Sequence, residues 1–256
     1  MSVFDRFSLK GRTAIVTGGG DGIGRAASLH LAAAGAFVFV TDKDEGKAGL
    51  VAESARRDGG AAQAVALDVT DTGAVERVFA EAAGRGGLDI LINNAGVAVR
   101  AKAVELSIED WERVLAVNLT AMFVAARTAA RHMIARGQGG VIVNTASIMG
   151  LSGGIYPNVA YQTTKGGVVN MTRALALEWV AEGIRVNAVA PTYVRTQFIA
   201  GLLANPAILA TIEAATPMGR LAEPEEVADA ILFLASPAAA MITGTILPVD
   251  GGYLAR

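Results

Sequence analysis

One rhythm constrains this chain more than any other feature. Short apolar runs, more continuous than alternating, at 14–16, 37–40, 64–67, 90–92, 141–143, 186–189 and 246–249 alternate with longer, Ala-rich stretches of helical length. A strand with one wet face alternates apolar and polar residues. These runs do not, so they read as strands buried on both faces of a parallel sheet. Strand, helix, strand, repeated, implies right-handed crossovers with helices on both faces. The expected fold class is α/β: a single doubly wound parallel sheet of about seven strands flanked by helices. With 256 residues, 52% of them hydrophobic, the chain can bury one large core, and no Pro/Ser-rich linker or internal repeat divides it. One domain over 1–256 is expected, elaborated at 196–220, where an apolar stretch carrying Pro206 and Pro217 reads as a small helical lid.

Composition narrows the function. A formal net charge of -2 gives no electrostatic reason to expect a nucleic-acid partner. With 0 Cys there is no thiolate nucleophile or thiolate metal site, and His30 and His132 are too few and too far apart for an ordinary His-based site. No bound metal is expected; one near the C-terminus stays open. The opening residues carry Asp5, Arg6 and Lys10 with no apolar run between them, unlike a signal peptide. Mean hydropathy is +0.43. Residues 137–164 hold no charge, yet Gly, Asn, Ser and Pro157 interrupt them, so they do not read as a lipid-spanning helix. A cytoplasmic protein with no membrane partner is expected.

The first strand runs into Thr17-Gly18-Gly19-Gly20-Asp21-Gly22-Ile23-Gly24 and then into a helical pattern. Glycines let the backbone approach a pyrophosphate, and the helix N-terminus favours its charge. The spacing is Gly18-x-x-x-Gly22-x-Gly24, with Ile23 where a Gly-x-Gly-x-x-Gly motif has its third glycine. The second strand ends at Asp42. A carboxylate there can accept both ribose hydroxyls of an adenosine and repels a 2′-phosphate. With Asp21 inside the turn, the expected cofactor is NAD rather than NADP.

This arrangement resembles the short-chain dehydrogenase/reductase family along nearly the whole chain. The Thr-Gly-x-x-x-Gly-x-Gly turn is followed by Asn93-Asn94-Ala95-Gly96 after the fourth strand and by Tyr161-Gln162-Thr163-Thr164-Lys165. The resemblance implies a Rossmann-type sheet. It implies catalysis by Asn118, Ser147, Tyr161 and Lys165. It also implies cofactor contacts from Gly18, Asp21, Gly22, Ile23, Gly24, Asp42, Asp68, Val69, Asn94, Ala95, Gly96, Tyr161, Lys165, Pro191, Val194 and Thr196. Two departures stand out. Pro191 is followed by Thr192 where the family has glycine, and Ser147 lies 14 positions before Tyr161, one more than usual, which leaves Ser152 as a second candidate.

The chemistry is legible in these residue types. Taking a hydride from an alcohol also requires removing the hydroxyl proton. A free tyrosine, with a pKa of about 10, is a poor base near neutrality, and a nearby ammonium lowers that value. Tyr161 and Lys165 are four apart and share a helix face. Ser147, just past the fifth strand, can hold the substrate oxygen. By resemblance Asn118 relays protons through water to Lys165, and Thr196 meets the nicotinamide carboxamide. Tyr156 and Tyr193 are read as substrate-pocket walls, with Ser147 and Tyr161. Arg100 and Arg195 lie on loops at the same edge, either solvated or facing a carboxylate substrate.

The function expected is hydride transfer between NAD(H) and a small-molecule secondary alcohol or ketone. The run 190–194 is similar to dehydrogenases of polyols and sugar acids, such as the gluconate 5-dehydrogenase group. Two alternatives stay open: a 3-oxoacyl thioester (carrier-protein) reductase, and a dinucleotide-binding regulator without turnover. Helices after Ser107 and after Tyr161 carry more apolar residues than one stripe needs, and the resemblance points the same way, to a homotetramer.

Overall fold

The computed structural model describes residues 2–255. Seven strands form one parallel sheet: β1 Thr13–Thr17, β2 Phe37–Asp42, β3 Ala61–Ala66, β4 Ile90–Asn93, β5 Gly140–Thr145, β6 Ile184–Pro191 and β7 Ile246–Val249. Their order is β3-β2-β1-β4-β5-β6-β7, so the chain reverses direction across the sheet between β1 and β4. That is where a doubly wound sheet opens its ligand crevice. Each apolar run became a strand, although β3 begins at Ala61 and stops before Leu67. Strands β1 and β4 are buried at every position, whereas the edge strands β3 and β7 are partly exposed.

The nearly continuous apolar runs follow from two packed faces. On one face Val16, Val38, Val40 and Ile92 meet α1 Gly22–Ala33, α2 Glu45–Arg57 and α9 Pro224–Ala235. On the other, Ile15, Phe39, Leu91 and Ile142 meet α3 Thr72–Gly84, α5 Ala121–Arg136 and α6 Val159–Trp179. Successive strand residues point to opposite faces, so both faces demand apolar side chains.

Helix starts are set locally. Asp21, Asp44, Asp71 and Ser107 each accept a hydrogen bond from a backbone N–H in the first turn that follows, worth about 1 kcal/mol apiece. Ser107 opens α4 Ile108–Leu115, which continues through a π-helical turn, Ala116–Thr120, into α5. This stretch, Ile108–Arg136, is long and apolar enough to count as a membrane span, but half of it is buried inside the chain, as in a core helix.

The segment after β6 is helical as expected: a short turn at Gln197–Ile199, α7 Ala200–Leu203 and α8 Pro206–Ala215. It packs through Ile199 and Ile212 on Ile148, Tyr193 and Tyr253, above the carboxyl edge of the sheet. The apolar surplus of α4 to α6 is smaller than the sequence suggests. Val114, Met122, Val168, Val169, Leu175 and Trp179 are buried within the chain, while Phe123 and Leu177 are 40% and 80% exposed.

Candidate active site

The carboxyl ends of the strands open onto one cleft of about 810 Å³. Its two ends are built differently.

At the glycine-turn end the backbone makes the wall. Gly18 and Gly22 have φ of 62° and 50°, a region costly for side chains. A Cβ on Gly24 would stand 2.0 Å from the Gly18 carbonyl oxygen and 2.5 Å from Asn94 Nδ2. Gly24 therefore does not border the cleft; it lets α1 start tight against the turn. Asn94 Nδ2 donates to the Thr17 and Gly18 carbonyls at 3.2 and 3.0 Å. The Asn-Asn-Ala-Gly motif thus pins the glycine turn from the neighbouring strand. Asp42 does the same from β2, its carboxylate accepting from the Gly20 and Asp44 amides, each at 3.0 Å.

Gly18, Asp21, Gly22 and Ile23 border the cleft at this end, as do Asp42, Asp68, Val69, Asn94, Ala95 and Gly96. The Asp68 carboxyl is held below its usual pKa, first by hydrogen bonds from Thr70 and then by Lys43, 3.2 Å away. The cradle fits a dinucleotide: a helix N-terminus, glycines a Cβ would fill, and a carboxylate at the ribose position.

At the other end side chains make the wall. Ser147, at the end of β5, is buried, and its hydroxyl accepts from the Met149 amide at 3.1 Å. Ser147 and Tyr161 line the cleft together, and Ser147 lowers the phenol's pKa, so the extra residue before Tyr161 is absorbed in the intervening loop. Ser152 donates to the Ile148 carbonyl instead. The turn after Ser147 packs closely on α6: a Cβ on Gly150 would lie 2.5 Å from the Lys165 carbonyl oxygen. Only glycine lets this turn rest on the α6 backbone. A buried relay, Asn93 to Asn144 at 3.0 Å and Asn144 to Thr172 at 3.0 Å, ties β4 and β5 to α6 from behind.

Burial pushes the Tyr161 phenol up in pKa; the Ser147 hydrogen bond and then the Arg100 charge pull it down. Lys165 is buried, stands 5.5 Å from the Tyr161 ring centroid and donates to the Thr145 carbonyl at 2.6 Å. Burial lowers its pKa to about 8. Ser147 and Arg100 thus act against the burial of the phenol, and the Lys165 ammonium lies beside the same ring, on the helix face expected from the sequence.

Asn118 is fully buried in the π turn and does not border the cleft. Its side chain accepts from the Val97 amide and donates to the Val97 carbonyl, both at 2.8 Å, and reaches Thr164 at 3.3 Å. It fixes the chain after Gly96 and makes no direct contact with Lys165. Pro191, Val194 and Thr196 border the cleft, with the Thr196 side chain against Gly22. Among the described residues no non-glycine has positive φ, so position 192 does not need the family's glycine. Thr192 is buried there with an unpartnered hydroxyl. Tyr156 and Tyr193 line the cleft, and burial raises the Tyr193 phenol's pKa. Arg195 turns away to Glu223 at 3.0 Å. Gly150, the Thr145 carbonyl and Phe198 went unread in the sequence. Gly150 carries a signal, a glycine three past the candidate serine; Phe198, on the helical elaboration, carries none.

Comparison with known proteins agrees with this geometry. A family model described as enoyl-(acyl carrier protein) reductase matches residues 18–254. A cis-4-hydroxycyclohexanecarboxylate dehydrogenase of Sinomonas cyclohexanicum is 47% identical over 95% of this chain and 97% of its own length. A galactitol 2-dehydrogenase (L-tagatose-forming) of Cereibacter sphaeroides is 44% identical over 96% of each chain. A crystal structure of a gluconate 5-dehydrogenase from Burkholderia cenocepacia J2315, in complex with NADP and tartrate, superimposes with a TM-score of 0.94 at 37% identity, covering 100% of both chains. With the glycine turn, the Asn-Asn-Ala-Gly pin and the Ser147–Tyr161–Lys165 group in one cleft, this chain belongs to the short-chain dehydrogenase/reductase family, and it is an oxidoreductase.

Proposed function

We propose that the protein interconverts a secondary alcohol and its ketone with NAD as cofactor, on a polyol or sugar-derived substrate. The observation that carries this reading is the grouping of Ser147, Tyr161 and Lys165 at the opposite end of one cleft from a dinucleotide cradle. When bound, the nicotinamide supplies the hydride acceptor. The protein handles the proton. Ser147 and Tyr161 converge where a carbinol oxygen can accept from one hydroxyl while giving its proton to the other oxygen. Oxidation needs the tyrosine unprotonated; Ser147 and Arg100 oppose the effect of burial on it, and the Lys165 ammonium stands beside its ring. Lys165 and Thr145 fix the α6 end of the site.

Asp42 supports NAD. Its carboxylate borders the adenosine end and would stand beside a 2′-phosphate. The neighbouring cation, Lys43, is paired with Asp68. The relative that binds NADP is a different chain, so cofactor choice is a matter for titration. The helical segment at 196–220 is proposed as a substrate lid. The reading also includes a cytoplasmic homotetramer, supported by the exposed Phe123 on α5 and Leu177 on α6. Light scattering tests the assembly: a mass near 26.2 kDa contradicts it, and about four times that supports it.

The experiment is a panel of polyols, hydroxy acids and a 3-oxoacyl thioester, each with NAD(H) and NADP(H), followed at the nicotinamide absorbance. NADH formation from alcohols supports the reading. Turnover of the thioester alone favours the carrier-protein reductase, and none at all favours a binding protein.

A further inference from the structure

The cations around the cleft are accounted for, with one exception. Lys43 pairs with Asp68 at 3.2 Å, Arg113 with Asp110 at 2.7 Å and Arg195 with Glu223 at 3.0 Å. Lys165 is held by the Thr145 carbonyl. Arg100 borders the cleft and, among the described residues, forms no ion pair; its guanidinium lies over the Phe198 ring, 5.8 Å from the centroid. The same ring is 6.1 Å, centroid to centroid, from Tyr161. Phe198 therefore adjoins both the proton-accepting phenol and a cation without an ion-pair partner. The same cleft is lined by Ile148, Met149, Ile199 and Leu202, together with the polar Tyr156, Asn158 and Gln197.

We infer that Arg100 is a carboxylate-binding, specificity-determining residue, and that the substrate is a hydroxycarboxylate. Its carbinol sits at Ser147 and Tyr161, its carbon skeleton lies along Phe198, and its carboxylate meets the guanidinium. This rests on the alcohol-dehydrogenase reading above and narrows its substrate class. A planar guanidinium presents two N–H groups to a carboxylate, a geometry a neutral hydroxyl cannot match. Once the carboxylate is bound, Arg100 loses part of its charge effect on Tyr161, and alcohol oxidation with a hydroxycarboxylate needs a higher pH than with a neutral alcohol.

The test is calorimetry on the NADH-bound protein with cyclohexanecarboxylate and, separately, cyclohexylmethanol. Because binding is read without turnover, a failed substrate panel and a failed carboxylate site give different results. The carboxylate should bind roughly 30-fold more tightly than the alcohol, the size of one charge-assisted pair. In Arg100→Gln that ratio should fall to near one; in Arg100→Lys part of it should remain. Melting temperatures of both variants, at an exposed position, report any general damage. Equal affinity of the unmodified protein for the two probes overturns the inference, and so does a ratio that survives Arg100→Gln.

Discussion

The two ends of the cleft are made of different material. At the glycine-turn end, main chain meets main chain: Gly24 has no room for a Cβ, and Asn94 and Asp42 hold the turn by bonding its backbone. At the substrate end, side chains from separate loops converge: Ser147, Tyr156, Tyr161, Tyr193, Phe198 and Arg100. A wall of main chain tolerates almost no change at fixed positions. A wall of side chains can be rebuilt one residue at a time while the fold stays put. The first fixes which cofactor class binds; the second chooses the substrate.

The largest effect that could break this contrast is Gly24→Ala. Its Cβ would fall 2.0 Å from the Gly18 carbonyl, so the turn must open. NADH affinity should fall more than about 100-fold and the melting temperature by several degrees. Tyr156→Phe, at the other end, should change only the substrate KM. Normal NADH titration of Gly24→Ala would erase the distinction.

Asp42 sharpens it, because this side chain serves both purposes. Asp42→Asn keeps an acceptor for the Gly20 amide and removes the charge, so the preference for NAD over NADP should narrow about tenfold. Asp42→Ala also loses the anchor, so both cofactors should bind more weakly. A preference for NADP by the unmodified protein in the same titration would contradict the assignment of Asp42.

Lys165 gives a pH signature. Its pKa is depressed from 10.5 to about 8 by burial. Between those values the unfolded chain holds the proton and the folded chain does not, so stability contributed by this group rises with pH across that window. Chemical denaturation without cofactor, compared at about pH 7.5 and pH 9.5, should show the rise, and Lys165→Met should remove it.

The smallest effect belongs to Thr192→Gly, which restores the residue usual in the family. The backbone there needs no positive φ, so cofactor affinity should stay within about threefold, with a stability loss of about 0.5–1 kcal/mol. A large gain in affinity would mean that the threonine distorts the loop.

The same contrast explains what could be read in the sequence. The strands showed because both sheet faces are buried, so their apolar runs are nearly continuous; at β3, a partly exposed edge, the run missed the first three strand residues and overran the last by one. The glycine turn showed because backbone contact leaves a spacing signature. Tyr161 and Lys165 showed because one helix face carries both. Arg100 and Phe198 come together only in the tertiary structure, the first on the loop after β4 and the second after β6. Gly150 lies beside Ser147, yet its reason, the α6 backbone, comes from further along the chain. Asn118, read by resemblance as part of a proton relay through water, also braces the chain at Val97, a contact the sequence does not show. The apolar surplus on these helices is partly covered by the same chain, which buries Val114, Met122, Val168, Val169, Leu175 and Trp179 and leaves Phe123 and Leu177 exposed.

The central claim is that Tyr161 handles the proton while the glycine-turn end holds the cofactor independently. Tyr161→Phe tests it most directly, with NADH binding by titration and steady-state alcohol oxidation measured on the same sample. The account predicts an unchanged NADH affinity, within about threefold, and turnover lower by at least about 1,000-fold. Turnover close to that of the unmodified protein would contradict it.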